Sequence, residues 1–510
     1  MDSREAGVCP FVLFCAIVAS LGALNGGINM SALNIPEYFV RNCPDVASGI
    51  MTYFPGSTLP RCIPMDDLIW GIATGMFALG GIPGALIAGR LAESLGRRDA
   101  MLVTNITFLI GAVLISVSTT TAMFIIGRIF VGMGSGAMTV LVSMYTAEIS
   151  PPKQRGVIVG LLQLFFQLGF VVIQLCGLGL QSSIGWRVIS VITVAPALLQ
   201  VILLPFCARS PRWLLNQNRN NEAHGALLKL RRGNIELEFN DMAHLFTTDR
   251  QQQKTSSQSP IHNEKISTAL TPSPSSQPEK EQDEEIESLS LLQILRIPIL
   301  AIVTMKMMVI HAGFQLCGIA AIMYYSTSLF QAAFDGSKAA YVTVGASGVF
   351  FVFTIIGLTM VDRLGRKVLI FISAIGMSIS SIIMTVALVL EIPILQVIAI
   401  LLFVSAFAVG LGICAFLLSS ESFPTYAVSA GCSIALMTNW FFNFVVGLLF
   451  PTLLRVLDNY VFVPFAIITF LLALFTWFFI VETAGKSIDD IGRESGWYDL
   501  DPKEFLKKKK

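Results

Sequence analysis

Few side chains in this sequence are equipped for chemistry, and most of those that are recur. The segment Gly89-Arg-Leu-Ala-Glu-Ser-Leu-Gly-Arg-Arg98 has a counterpart in Val361-Asp-Arg-Leu-Gly-Arg-Lys367, with Arg366 following Arg97 by 269 residues (366 minus 97). Glu148-Ile-Ser-Pro151 is matched by Glu421-Ser-Phe-Pro424 at 273 residues (421 minus 148). Carboxylates and guanidiniums at the ends of apolar runs can pair when helices close and hydrate when they part, giving two states of similar energy. The amides Gln163, Gln315 and Asn439, with Trp440 beside the last, fall inside apolar runs; an amide there either bonds a neighbouring helix or meets a polar ligand. His311 precedes Gln315 by one helical turn. It is either a working proton site or a neutral imidazole held by a hydrogen bond.

Signals for enzymatic work are absent. The sequence shows no nucleophile with its base, no metal ligands at suitable spacing and no Walker sequence, which argues against an enzyme, ATP-driven transport, a bound metal and a cofactor. Gly132-Met-Gly-Ser-Gly136 resembles a nucleotide loop only in its glycines. It lies inside a continuous apolar run, so close helix packing is the better reading. Cys43 and Cys62 share the polar segment between the first two apolar runs, where a disulfide forms if that segment faces an oxidising compartment. Glu287-Ser-Leu-Ser-Leu-Leu292 matches an acidic dileucine pattern that a sorting adaptor reads; its alternative is an amphipathic helix leading into the seventh run.

The elements that position these residues are membrane helices. Of 510 residues, 54% are hydrophobic and 13% charged, and mean hydropathy is +0.72; an ordinary soluble domain carries nearly twice that charge. The 34 basic and 33 acidic residues leave a net charge of +1, which offers nothing to nucleic acid. Apolar runs begin near Phe11, Leu68, Ala100, Ala122, Gly156 and Trp186, and again near Pro298, Ala339, Val368, Ile394, Val428 and Val461. The first is read as a span and not as a removable signal peptide. The fold class is therefore an all-α membrane protein, with twelve transmembrane helices in two six-helix bundles surrounded by membrane lipid.

The boundaries follow from composition: a first bundle over 1–209, an insert over 210–297, a second bundle over 298–483 and a tail over 484–510. The insert is partly helical at its start, where Asn221 to Arg232 has apolar residues at helical spacing. Its Gln-, Ser-, Pro- and Glu-rich centre cannot bury a core and reads as disordered. Arg97, Arg98, Lys153, Arg155, Arg212, Arg231, Arg232, Arg363, Arg366, Lys367 and Lys507 to Lys510 fall on one side of a six-plus-six count, which makes both termini and the insert cytoplasmic.

At Gly89 to Arg98, Gly127-Arg-Ile-Phe-Val-Gly132, Tyr145 to Gly156, Ser210-Pro-Arg-Trp-Leu214, Gln315-Leu-Cys-Gly-Ile319 with Tyr324-Tyr325, and Glu482-Thr-Ala-Gly485, the sequence resembles the sugar porter family of the major facilitator superfamily. Six motifs in the family's order cover the chain from about Ser20 to Ile491 outside the insert. Some fungal vacuolar members look similar, so the resemblance fits either the plasma membrane or a vacuolar or endosomal membrane. Carried over by position, it implies a cytoplasmic gate of Arg97, Glu148, Arg155, Asp362, Arg366 and Glu421. It also implies a sugar site that includes Gln163, Gln315, Asn439 and Trp440.

The chain departs from the family at several of these places. Ala208 and Arg209 stand before Ser-Pro-Arg where the family has an acid, and Val428 stands where a base is expected. The expectation is a looser cytoplasmic lock and a bias toward the inward-facing state, unless Arg209 finds another partner. In the cavity Phe314 replaces a glutamine, Ala320 and Phe350 replace asparagines, Ala408 an acid and Phe416 a tryptophan. Phe314 and Phe416 are counted among the substrate-binding residues. Each sugar hydroxyl left without a partner costs about 1 to 3 kcal/mol, so this cavity is expected to favour a less hydroxylated substrate or to bind hexose weakly through stacking. The tenth run has Gly410 and Gly412 but no proline there, which leaves it able to flex.

The position of the proton-coupling acid of symporting relatives is held by Asn29, and an amide cannot titrate. The resemblance thus implies a transporter moving a monosaccharide or small polyol by alternating access and facilitated diffusion. The alternatives are a non-transporting nutrient sensor on the same fold and a proton-coupled symporter.

Overall fold

The computed structural model describes residues 9–41, 52–151, 154–240, 242–243, 289–331, 334, 336–486, 488–498 and 500. The helices that cross, or are apolar enough to cross, a bilayer are α1 (Pro10–Ser31), α2 (Asp67–Ser94), α3 (Arg97–Ser116), α4 (Thr121–Ile149), α5 (Arg155–Gly179), α6 (Gly185–Phe206), α7 (Pro298–Gln331), α8 (Gly336–Leu364), α9 (Arg366–Val389), α10 (Pro393–Glu421), α11 (Val428–Leu457) and α12 (Val463–Phe479). Eleven meet the length of a span outright, and α12 is a shorter apolar helix of 17 residues. Each starts within a few residues of an apolar run in the sequence. Among the described residues the only β pairing is the isolated bridge Tyr53–Pro60.

The helices pack as two copies of one arrangement. In the first half α1 lies on α4, α5 and α6, while α2 and α3 lie on α4 and α3 touches α6; six helices later α7 lies on α10, α11 and α12, α8 and α9 on α10, and α9 on α12. The halves meet where α2 packs on α11 and α5 on α8, so each half lends the equivalent helix to the other. An even number of crossings puts the start of α1 and the end of α12 on one side, here named the terminal side; the opposite side is the far side.

Glycines set the closeness of the α2–α4 crossing. A methyl group on Gly132 would stand 2.0 Å from the Phe77 carbonyl oxygen, and one on Gly136 would stand 2.1 Å from that of Gly81. The Gly132–Gly136 run is thus a backbone contact inside α4 and not a phosphate loop. Neither backbone can retreat without separating two spans. Gly132→Val is therefore expected to remove folded protein from the membrane, read as loss of the monodisperse peak on detergent extraction. Retention of that peak would refute the close contact.

Three spans are interrupted. α7 breaks after Leu316, with Gly318 at φ +101°, a left-handed conformation that favours glycine. α10 breaks at Gly410, whose absent side chain would otherwise stand 2.2 Å from the Leu369 carbonyl oxygen; the freed Leu411 N–H is taken by Ser373 Oγ at 3.1 Å. The expected flexible point in the tenth run is thus a break with its backbone donor satisfied. α6 is divided at Thr193, between Gly185–Ile192 and Val194–Leu203.

On the terminal side, short helices follow α6 at Pro211–Asn216 and Asn220–Leu230, and another, Leu291–Arg296, leads into α7. The last is opened by a capping box in which the Ser290 and Gln293 side chains each bond the other's backbone. Leu291 and Leu292 of the dileucine pattern sit in its first turn; Glu287 and the centre of the insert lie outside the described residues. Cys62 is held in a disulfide. Cys43, which the sequence pairs with it, lies outside the described residues.

Candidate functional site

The duplicated charges of the terminal side come together at equivalent atoms. Arg97, at the start of α3, places Nη2 2.8 Å from Glu148 Oε1 at the end of α4, and its Nη1 donates to the Ala92 carbonyl at 3.1 Å. Arg366, at the start of α9, places Nη2 3.0 Å from Glu421 Oε1 at the end of α10, and its Nη1 donates to the Val361 carbonyl at 3.3 Å. The second oxygen of each glutamate accepts a hydroxyl that follows the last span of its half, Ser210 in the first case and Thr483, at 2.5 Å, in the second. Both pairs lie inside one half, so neither bridges the two bundles.

The two halves differ at the residue before that hydroxyl. Glu482 accepts the backbone N–H groups of Arg366, Lys367, Thr483 and Ala484 at 2.9 to 3.1 Å, which caps the start of α9 where Gly365 has no side chain to do so. In the first half Arg209 stands there instead, and its Nη2 lies 2.8 Å from Asp99 Oδ2 in the first turn of α3. Arg209 has found a partner, which removes one of the two grounds for expecting a loose lock. Arg155 is exposed and, among the described residues, makes no ion pair with Glu148. The Asp362 side chain lies outside the described set.

Inside the second half the polar residues form one chain across α7, α11 and α10. Gln315 Nε2 donates to Asn439 Oδ1 at 2.9 Å, the Asn439 amide nitrogen lies 3.4 Å from His311 Nδ1, and His311 Nε2 lies 2.9 Å from Ser419 Oγ. Gln315 Oε1 and Trp440 Nε1 are buried and, among the described residues, have no hydrogen-bond partner. Trp440 packs edge-on to Phe77 of α2 at 6.0 Å between centroids. Beside this polar chain runs an aromatic one. Phe166 touches Phe170, Phe170 Phe350, Phe350 Phe407, Phe407 Phe314 and Phe314 Phe416, at centroid separations of 4.9 to 6.2 Å; the Phe416 ring then lies 5.0 Å from His311. The aromatic chain begins on α5 of one half and ends on α10 of the other. Gln163, also on α5, is half-buried one turn before Gln167, whose buried Oε1 has no partner among the described residues.

Arg128 of α4 is 1% exposed. Its Nη1 donates to the Asn29 carbonyl at 2.8 Å, and its guanidinium lies 4.9 Å from the Phe77 ring centroid. The Asn29 side chain donates back within α1 to the Asn25 carbonyl. Carbonyls and a ring face surround the guanidinium, while its buried Nε has no hydrogen-bond partner among the described residues.

On the far side a seam of hydrogen bonds joins the end of α1 and the residues just after it to the part of α7 beyond its break. Asn34 Nδ2 donates to the Met323 carbonyl and to Ser326 Oγ, both at 2.8 Å, while its Oδ1 accepts the Thr327 N–H at 3.0 Å. Ser31 Oγ donates to the Met323 carbonyl at 3.1 Å, and Ser328 Oγ donates to Glu37.

A family model described as "Sugar (and other) transporter" matches residues 11–494. The chain belongs to the sugar transporter family. It is 32% identical over 497 residues to rabbit (Oryctolagus cuniculus) "Solute carrier family 2, facilitated glucose transporter member 3", covering 95% of this chain and 92% of that protein. It is also 32% identical to human member 4 of the same series, with 96% and 91% covered. Among solved structures, the partially occluded inward-open form of the E. coli xylose transporter XylE superposes with a TM-score of 0.71 at 23% identity, covering 94% of this chain and 100% of that one. The fold is thus the major facilitator fold, and the protein is a multi-pass membrane transporter and not an enzyme.

Of the residues that the sequence assigns to this sugar transporter's site, the fold brings Gln315, Asn439, Trp440, Phe314 and Phe416 to one region. The sequence named His311 but left its partners open. It missed Gln167, the aromatic run through Phe166 and Phe170, and the whole far-side seam. Gln167 had a usable signal, an amide one turn after Gln163 on the same face. Asn34 and Ser31 had none, because their partners lie about 290 residues away in sequence.

Proposed function

We propose that this protein carries a monosaccharide, hexose-like or a related small polyol, by alternating access and without proton coupling. The carrying observation is the polar chain Gln315–Asn439–His311–Ser419 with Gln315 Oε1 and Trp440 Nε1 buried and, among the described residues, unbonded. A buried acceptor and donor without partners lose about 1 to 3 kcal/mol each, and sugar hydroxyls satisfy both. The aromatic chain at their side supplies ring faces and no hydrogen bonds, so we read the preferred sugar as one with an apolar edge or fewer hydroxyls. Substrate-binding roles go to Gln163, Gln315, Asn439, Trp440, Phe314 and Phe416. Asn29, with Arg128 on its carbonyl, supports uniport.

The bundles of residues 1–209 and 298–483 tilt about this site, with the insert 210–297 and the tail 484–510 on the cytoplasmic side together with both termini. Arg97, Glu148, Arg366 and Glu421 hold the terminal-side ends of α3, α4, α9 and α10 in register, with Arg155 and Asp362 as further gate residues. We place the carrier in the plasma membrane or a vacuolar or endosomal membrane, with the segment Glu287 to Leu292 as the site of a sorting adaptor.

Uptake into proteoliposomes of labelled hexoses, deoxyhexoses, pentoses and polyols, with and without a pH gradient, tests this reading. Saturable uptake that an inward proton gradient does not accelerate is expected. Acceleration by the gradient would make the protein a symporter, and failure of every substrate would make it a sensor.

A further inference from the structure

One carboxylate sits in the far-side seam itself. Glu37 opens the short helix Glu37–Arg41 beyond α1 and is 4% exposed. Its Oε2 accepts the Ser328 hydroxyl, which belongs to the other half. Arg41 brings Nε within 3.0 Å of Oε1, yet that N–H has no aligned acceptor. The Arg41 guanidinium turns instead to Asp67 at the start of α2, donating Nη1 to Oδ1 at 2.7 Å. Asp67 Oδ2 in turn lies 3.4 Å from Arg455 Nη1 at the end of α11. Among the described residues the groups that face Glu37 are therefore Arg41 on its own helix, Asp67 on α2 with Arg455 of α11 behind it, and on α7 the hydroxyl of Ser328 and the phenol of Tyr325. The one well-aimed donor it has crosses between the halves.

We propose that Glu37 is a proton-binding latch of the far-side gate, and that a proton taken from the far side holds the seam between α1 and α7 closed. The inference rests on the alternating-access reading above. Burial pushes the Glu37 carboxyl up from its ordinary value, outweighing the opposing pull of Arg41. When the outer arm of α7 swings away, Ser328 leaves, water reaches the carboxyl and its pKa returns toward the ordinary range. The closed seam thus binds a proton more tightly than the open one. By linkage, acid on the far side favours closure and alkali favours opening. Because the proton enters and leaves on one side, it biases the gate without driving uptake.

The test is the far-side pH dependence of uptake in oriented proteoliposomes, with internal pH fixed. Lowering far-side pH from about 7.5 to about 5 is expected to raise the apparent KM for uptake by about threefold or more. In Glu37→Gln, a permanently neutral side chain of the same shape, KM should be high and flat across that range. Ser328→Ala should lower KM by loosening the seam. A readout free of transport uses Ser326→Cys, a near-isosteric reporter in the seam. Its labelling by a membrane-impermeant thiol reagent from the far side should slow in acid, and the slowing should vanish with Glu37→Gln. Labelling and KM that are flat with pH in the wild-type background, or an unchanged pH dependence in Glu37→Gln, would overturn the latch while leaving the transport reading intact. Wild-type protein that labels with pH but moves no sugar would overturn the transport reading alone.

Discussion

Gln315→Ala is expected to cut saturable uptake by about ten- to a hundredfold while leaving the amount of folded protein nearly unchanged. The substitution removes the buried Oε1 acceptor that has no partner among the described residues, so whichever hydroxyl it serves is left unmatched. It also removes the donor to Asn439 Oδ1, held at 2.9 Å, and frees the Asn439 amide to turn away from His311. Two losses of about 1 to 3 kcal/mol each, partly relieved by water entering the cavity, give the stated range. Because Gln315, Asn439 and His311 act as one hydrogen-bonded unit, Asn439→Ala should cost a comparable factor. The double variant should cost much less than the product of the two, as coupled neighbours do. Initial rates with the best sugar of the panel decide this. Wild-type kinetics in Gln315→Ala would mean that the cavity lies elsewhere, and strict additivity would mean that the amides act apart.

The sequence carried more of the framework than of the contacts, for a physical reason. Span positions were legible because a bilayer forces about 20 apolar residues into each crossing, and all twelve starts lie where the runs begin. The Arg97 and Arg366 segments were legible because duplication repeats the same residue types at one spacing. The helix breaks at Gly318 and Gly410 were only half legible. A glycine in an apolar run marks a packing contact, a break or both, and here Gly132 is the first while Gly410 is a break pressed against Leu369. Glu482 was visible as part of a motif, but its work of accepting four backbone N–H groups, two of them on α9, involves no side-chain partner that a pattern could name. Glu37 is the extreme case. It lies outside the apolar runs, where a glutamate normally signals solvent, yet it is buried and bonded to Ser328 of the other half, a neighbour that no local pattern names.

The terminal-side pairs lead to the second large effect. Arg97→Ala is expected to be more damaging than Arg366→Ala, and each more damaging than the corresponding removal of both partners. The Arg97 and Glu148 side chains are 14% and 13% exposed, whereas Arg366 and Glu421 are 13% and 28% exposed. The carboxylate orphaned in the first half is therefore less able to recruit water. Arg97 also donates through Nε to the same Glu148 oxygen at 2.9 Å, so two donors vanish from one acceptor. Removing one member of such a pair leaves a part-buried charge with only a hydroxyl, from Ser210 or Thr483, to hold it. Removing both leaves no charge to solvate. We expect Arg97→Ala to lower uptake about tenfold or more, and Arg97→Ala with Glu148→Ala to recover part of that loss. The same order, with a smaller first step, should hold for Arg366→Ala and its double with Glu421→Ala. Because the pairs sit in different halves, combining one variant from each should multiply their effects. Thermal unfolding of the purified carriers separates loss of structure from loss of turnover. A double variant worse than its single parent in both halves would show that the bonds of these carboxylates to Ser210 and Thr483 outweigh the cost of the unpaired charge. An effect confined to one half would mean that the duplicated geometry does not carry duplicated work.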